Sequence, residues 1–292
     1  MPALFSSALF GAAMHRGMWS SYLHELSPEE AIREFARKGW RHLELSTEHG
    51  AALLERGEPA QVGEQFRRFC DHLEVELPQG HLRLRADIAL PDRDSRRREI
   101  DDLKRWIELF ASLGIQAGVL HPGGQSRHDP TRTPDEVFRI VAESLTELVA
   151  HARGTPTVIC LENGANAGRL LRLIGAVGGE GLAICLDTSH LGLARARSLE
   201  AAQTDYEFIR EAGAYLKALH LSDNDGSGDQ HLLPFEGGTV DWEGVMRGLR
   251  EVGYAGLFNF EIPGEMQRPL PERLEELDRI TALADRMMET IG

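Results

Sequence analysis

The sequence predicts an α/β fold, a single (β/α)8 TIM barrel with its active site at the C-terminal rim of eight parallel strands. Three observations predict it. A short apolar run ending in a polar residue, then a loop, then a segment of helical periodicity, recurs along the chain. Eight such runs in 292 residues leave roughly 36 residues per unit, the size of a strand, a crossover helix and two loops. No GxGxxG follows the first run, which disfavours a doubly wound open sheet.

The first strand is expected around Leu4–Ala12 and has the weakest pattern. The other runs are Trp40–Ser46, Val75–Leu82, Ala117–His121, Thr157–Glu162, Leu182–Asp187, Leu216–Leu221 and Gly256–Glu261. Helix starts are marked between them. Ser27-Pro28-Glu29-Glu30 and Thr133-Pro134-Asp135-Glu136 each combine a cap residue, a proline in the first turn and a carboxylate three residues after the cap. Gly39 and Gly114 stand where left-handed caps would end a helix before the next strand. Phe66, Phe69, Trp106, Phe110, Phe138 and Leu145 recur at helical spacing, which assigns them to the layer between helices and barrel.

Composition narrows the function classes. Against 46 acidic side chains stand 32 basic ones, a formal net charge of −14, so a protein that coats nucleic acid is disfavoured. With 42% hydrophobic residues, 30 Gly and 13 Pro spread along the chain, a sizeable core is expected and disorder is not. Apolar runs such as Ala183–Leu186 fall far short of the ~20 residues of a membrane span. A soluble, cytoplasmic protein is expected, with one domain over residues 1–292. Cys70, Cys160 and Cys185 form no CxxC pair, and the last two sit in apolar runs as core residues.

The strand endings carry the chemistry. In a parallel barrel they converge, and here they are His81, His121, Glu162, Asp187 with His190 three residues on, His220 with Asp223 shortly after, and Glu261. Carboxylates gathered on one rim repel and need raised pKa values or a cation. Glu162, Asp187, His220 and Glu261 offer oxygen donors and one imidazole, a set that suits Mn²⁺ or Zn²⁺ first, with Co²⁺, Fe²⁺ or Mg²⁺ admissible. His81, His121, His190, Asp229 and His231 either extend this to further ions or bind substrate directly. No organic cofactor is expected. Trp19, Tyr22, Glu48 and His49, in the first two loops, are candidates to stack on or hydrogen-bond to a bound substrate. Arg83 or Arg85 is a candidate for an acid group of the substrate, and Arg96–Arg98 for the solvated face of the third helix.

His81, His121, Leu161-Glu162-Asn163, Leu186-Asp187-Thr188-Ser189-His190, His220-Leu221-Ser222-Asp223-Asn224-Asp225, Asp229-Gln230-His231, Glu236-Gly237-Gly238 and Glu261 together resemble the xylose-isomerase-like barrel superfamily. That superfamily holds sugar and sugar-phosphate isomerases and epimerases, some dehydratases and the apurinic endonuclease IV family. The resemblance implies that Glu162, Asp187, His220 and Glu261 hold a metal and that Glu162 and Glu261 act as acid and base on opposite faces of the substrate. It departs from the ketose 3-epimerase branch, whose sugar-gripping Glu and Arg are replaced by Gly168 and Gly226. All nine metal-binding positions of the endonuclease branch have a counterpart here: His81, His121, Glu162, Asp187, His190, His220, Asp229, His231 and Glu261.

The expected activity is therefore a metal-dependent sugar or sugar-phosphate isomerase or epimerase that moves a proton next to a carbonyl through an enediolate. The alternatives are a lyase or dehydratase on a keto-sugar or keto-cyclitol, and an endonuclease IV-like zinc phosphodiesterase. The expected partner is a small sugar or sugar derivative, with nucleic acid disfavoured, no membrane contact, and a homodimer as the prior for such barrels.

Overall fold

A computed structural model describes residues 14–199, 201–264 and 267–291. Its strands are β1 (His15–Met18), β2 (His42–Leu45), β3 (Glu76–His81), β4 (Ala117–Leu120), β5 (Val158–Glu162), β6 (Leu182–Asp187), β7 (Leu216–His220) and β8 (Leu257–Phe260). All pairings between these strands are parallel. Strands β2 to β7 lie side by side in chain order, and β1 pairs with β8. Bridges from Trp19 to Glu44 and from Leu221 to Phe260 join the two groups and close the TIM barrel.

The helices are α1 (Pro28–Arg37), α2 (Thr47–Leu54), α3 (Pro59–His72), α4 (Arg93–Leu113), α5 (Pro134–Ala152), α6 (Ala167–Val177), α7 (Thr188–Ala196), α8 (Asp205–Ala212), α9 (Trp242–Val252) and α10 (Leu270–Glu289). Both expected capping boxes form. The Glu30 carboxylate accepts from Ser27 N at 2.9 Å while Ser27 Oγ accepts from Glu30 N, and Thr133 and Glu136 do the same at the start of α5. Gly114 ends α4 in the left-handed region, with φ +82°.

The strand expected at Leu4–Ala12 lies outside the described residues, and the place of the first strand is taken by His15–Met18. Its four residues, His-Arg-Gly-Met, carry no apolar run because the strand is short and its inward position must be nearly empty. A Cβ at Gly17 would lie 2.5–2.7 Å from the Leu257 side chain. Gly17→Ala is accordingly expected to destabilise the fold by about 1–2 kcal/mol through overpacking, measured by denaturant unfolding.

Alternation along the strands separates two layers. Ala117, Val119, Val158, Cys160, Ala183, Cys185 and Ala218 are buried together as a small-residue cluster inside the barrel. Their neighbours Ile159, Leu161, Ile184, Leu186 and Leu219 face outward and pack with Trp106, Phe110 and Leu145 in a larger core under the helices. Each such large side chain contributes about 1.5–3 kcal/mol on burial, so the outer layer stabilises the fold and leaves the inward positions near the rim free for polar groups. Continuing the same alternation brings His81, His121, Glu162, Asp187, His220 and Glu261 to the C-terminal end of the barrel. Among the described residues no helix is long and apolar enough to cross a membrane.

Candidate metal centre

Glu162, the last residue of β5, is the hub of the rim. Its carboxylate lies 3.2 Å from His81 Nε2, 2.9 Å from His121 Nε2, 3.0 Å from His190 Nδ1 and 3.4 Å from His220 Nδ1. Burial alone would push this carboxyl up, but the imidazoles around it, His121 and His220 foremost, hold it well below the usual range. Glu261, just after β8, is likewise pulled down to about 2 against its burial by His220 and His231. Asp187 at the end of β6 behaves differently: burial, with Glu261 and Glu162 nearby, raises it to about 7. It is the carboxylate most in need of a cation.

The histidines are held with one nitrogen anchored and the other presented. His81 Nδ1 lies 2.6 Å from Leu82 O and turns Nε2 to Glu162. His231 Nδ1 lies 3.0 Å from Glu261 O and turns Nε2 to Asp229 at 3.5 Å. His190 bridges Asn163 O, at 3.2 Å from Nδ1, and Asp229, at 3.3 Å from Nε2. His220 Nε2 contacts the Glu44 carboxylate at 3.0 Å, which leaves Nδ1 facing Glu162 and Glu261. A carboxylate or carbonyl behind an imidazole is how metal-binding histidines are oriented.

The residues fit a divalent metal. Asp187 Oδ2, His220 Nδ1 and Glu261 Oε2 are buried and have no hydrogen-bond partner, an arrangement that costs free energy unless a cation satisfies it. Three adjoining triads, His81–His121–Glu162, Glu162–Asp187–His190 and Asp187–His231–Glu261, each bring their donor atoms within 4.8 Å of one another. Burial opposes protonation of His231, but Glu261, Asp229 and Asp187 outweigh it and hold the imidazole up to about 10. At neutral pH His231 therefore holds a proton that a metal must displace. Loading with Mn²⁺ or Zn²⁺ is expected to release about one to two protons per ion and to weaken as pH falls. Calorimetry in buffers of different ionisation enthalpy measures the release.

A small pocket of about 120 Å³ lies over these donors, lined by Trp19, Glu48, His121, Glu162, His190, Asp229, His231 and Glu261 among others. Trp19 and Glu48 thus reach the place the sequence suggests. Trp19 meets the rings of His81 and His220 edge-on, with centroids 5.5 and 6.0 Å apart, and Glu48 accepts a hydrogen bond from Ser21. His49 does not line the pocket: its ring is buried between Ser20 Oγ and Leu26 O. Tyr22 points away from it, with its hydroxyl on Arg273 O and Glu276. Arg83 is bonded to Glu99 and Asp102 instead of facing the pocket. Arg97 and Arg98 pair with Glu147 and Ser95, and Arg96 donates to Leu90 O. Asp223 is not a rim carboxylate either. It is buried and accepts from Trp242 Nε1 at 2.8 Å, Val240 N at 3.1 Å and Asn224 N at 2.9 Å, so it ties down the loop after β7.

Sequence reasoning missed Glu44. It is fully buried inside the barrel, bonded to both His220 and Asn259 Nδ2. The available signal was a carboxylate between Leu43 and Leu45, an inward position in an apolar strand.

Comparison with known proteins follows the same lines. The family model "Xylose isomerase-like TIM barrel" matches residues 32–283. An uncharacterised protein of Sinorhizobium fredii, y4fM, is 28% identical over 202 residues, 66% of this chain and 61% of that protein. A "Probable endonuclease 4" of the Aster yellows witches'-broom phytoplasma is 31% identical over 121 residues, 38% of this chain and 40% of that one. The chain thus spans less than two thirds of either relative. A crystal structure of D-psicose 3-epimerase in the presence of D-fructose superposes with a TM-score of 0.76 at 17% identity, covering 96% of this chain and all of that one. At that identity the likeness is one of fold.

Proposed function

The chain belongs to the xylose isomerase-like TIM-barrel family, and from that premise we propose that it is a divalent-metal-dependent isomerase or epimerase of a sugar or sugar derivative. The observation that carries this reading is that Glu162 and Glu261, both buried and both held ionised by imidazoles, line one small pocket with unpartnered donor atoms of Asp187 and His220 beside them. Glu162, Asp187, His220 and Glu261 are the residues that would hold the metal, with His81, His121, His190, Asp229 and His231 around it as further ligands or substrate contacts. A divalent cation there supplies the charge that polarises a carbonyl and acidifies the neighbouring C–H.

The side chains do the rest. One glutamate takes the proton from carbon and the other returns one, through an enediolate. Return to the opposite face inverts the centre, and return to the neighbouring carbon isomerises. Trp19 and Leu84 give the pocket apolar lining beside these glutamates. The test is incorporation of solvent deuterium at a sugar C–H by the Mn²⁺-loaded chain. Exchange that disappears in Glu261→Gln supports the reading. A water-lost, double-bonded product replaces it with a lyase, and no exchange on any sugar contradicts it.

A second reading, a zinc phosphodiesterase of the endonuclease type, draws on a separate observation: all nine positions His81, His121, Glu162, Asp187, His190, His220, Asp229, His231 and Glu261 cluster around one rim, in three adjoining triads with His220 and Asp229 against them. Nicking of abasic duplex by the zinc-loaded chain would favour it over the isomerase.

A further inference from the structure

The pocket over the metal donors adjoins a larger cleft of about 680 Å³, and the two share His121, Glu162 and His190. A substrate whose reacting carbons sit at Glu162 therefore has room to extend in one direction, along the ends of β4, β5 and β6. The side chains met there are cationic. Arg127 comes from the loop after β4, Arg169 from the first turn of α6, and Arg197 from the end of α7, so three successive strand–helix units each send an arginine into one cleft. Convergence from three units is not the solvated face of one helix.

None of these arginines is held by a carboxylate among the described residues. In a chain with 46 acidic side chains that is informative, because Arg56, Arg83, Arg195 and Arg273 each find one. Arg127 is half-buried and donates instead to His128 Nε2 at 2.9 Å, which fixes His128, also in the cleft wall, as an acceptor. Burial and the neighbouring charge of Arg169 lower the pKa of Arg127 and outweigh the opposing pull of Glu162 and Asp87. Guanidinium groups in this state are suited to bidentate capture of phosphate or carboxylate oxygens.

We infer that Arg127, Arg169 and Arg197 form an anion subsite, and that the substrate is an acidic sugar derivative carrying a phosphate monoester or a carboxylate at the end remote from the reacting carbon. The inference rests on the isomerase reading for the placement of the reacting end. The subsite itself rests on the cleft.

Binding to the Mn²⁺-loaded full chain tests it with paired probes, D-fructose 6-phosphate against D-fructose and D-gluconate against sorbitol. At least one anionic probe is expected to bind about 30-fold more tightly than its neutral partner. The exposed double substitution Arg169→Gln/Arg197→Gln is expected to reduce that preference to about threefold or less. The arm with the larger ratio distinguishes phosphate from carboxylate. Anionic probes that bind no better than the neutral ones, or a preference that survives the double substitution, overturn the subsite. An abasic duplex that displaces both anionic probes through the same arginines overturns the acidic sugar in favour of a phosphodiester. Deuterium exchange reads the rim separately. An arginine-dependent preference without exchange defeats the isomerase reading alone, and exchange without the preference defeats the subsite alone.

Discussion

Glu162→Gln is expected to lower turnover by at least about three orders of magnitude while leaving a cooperatively folded barrel. The reason lies in its contacts. One carboxylate faces His81, His121, His190 and His220 at 2.9–3.4 Å and belongs to two of the three donor triads. An amide of the same size fills the space and keeps the packing, but it carries no negative charge and cannot exchange a proton with carbon. Metal affinity and proton transfer should therefore fall together. Steady-state rates at saturating Mn²⁺ and a parallel thermal melt separate this from misfolding. Near wild-type turnover in a fully folded Glu162→Gln chain would remove Glu162 from the chemistry.

Glu44 acts one step back, through His220. Its carboxylate takes the His220 Nε2 contact at 3.0 Å and the amide of Asn259, and all three groups are fully buried. Glu44→Ala strips both partners in a fully buried site and is expected to cost about 3–5 kcal/mol of stability in a denaturant melt. Glu44→Gln retains the volume but puts an amide in place of the carboxylate that holds the imidazole. It is expected to keep the fold and lose about 10–100-fold in metal affinity, read by competition with a chelator. A Gln variant with unchanged metal affinity would make Glu44 a structural residue only.

What the sequence disclosed and what it withheld follow from the geometry of the barrel. His81, His121, Glu162, Asp187, His220 and Glu261 were readable because a polar residue ending an apolar strand has one direction in which to point. Glu44 was not readable in that way, since it lies within its strand and becomes a partner of His220 when the ring closes through the Trp19–Glu44 bridge. Strand β1 was missed because an inward glycine against Leu257 leaves no hydrophobic pattern. Asp223 stands three residues after His220, and spacing does not say that its loop turns it toward Trp242. Arg83 stood out by its place after β3, yet Glu99 and Asp102 on α4 reach it first. Arg127, Arg169 and Arg197 are far apart in the chain and meet only through the loops of three consecutive units.

Metal content tests the central claim most directly. The chain purified without chelator or affinity-tag metal, then equilibrated with Mn²⁺ or Zn²⁺ and desalted, should retain at least one ion per chain by elemental analysis. Asp187→Asn, which removes the buried carboxylate raised to about 7, should retain clearly less. A wild-type chain that holds no metal after this treatment would contradict the account.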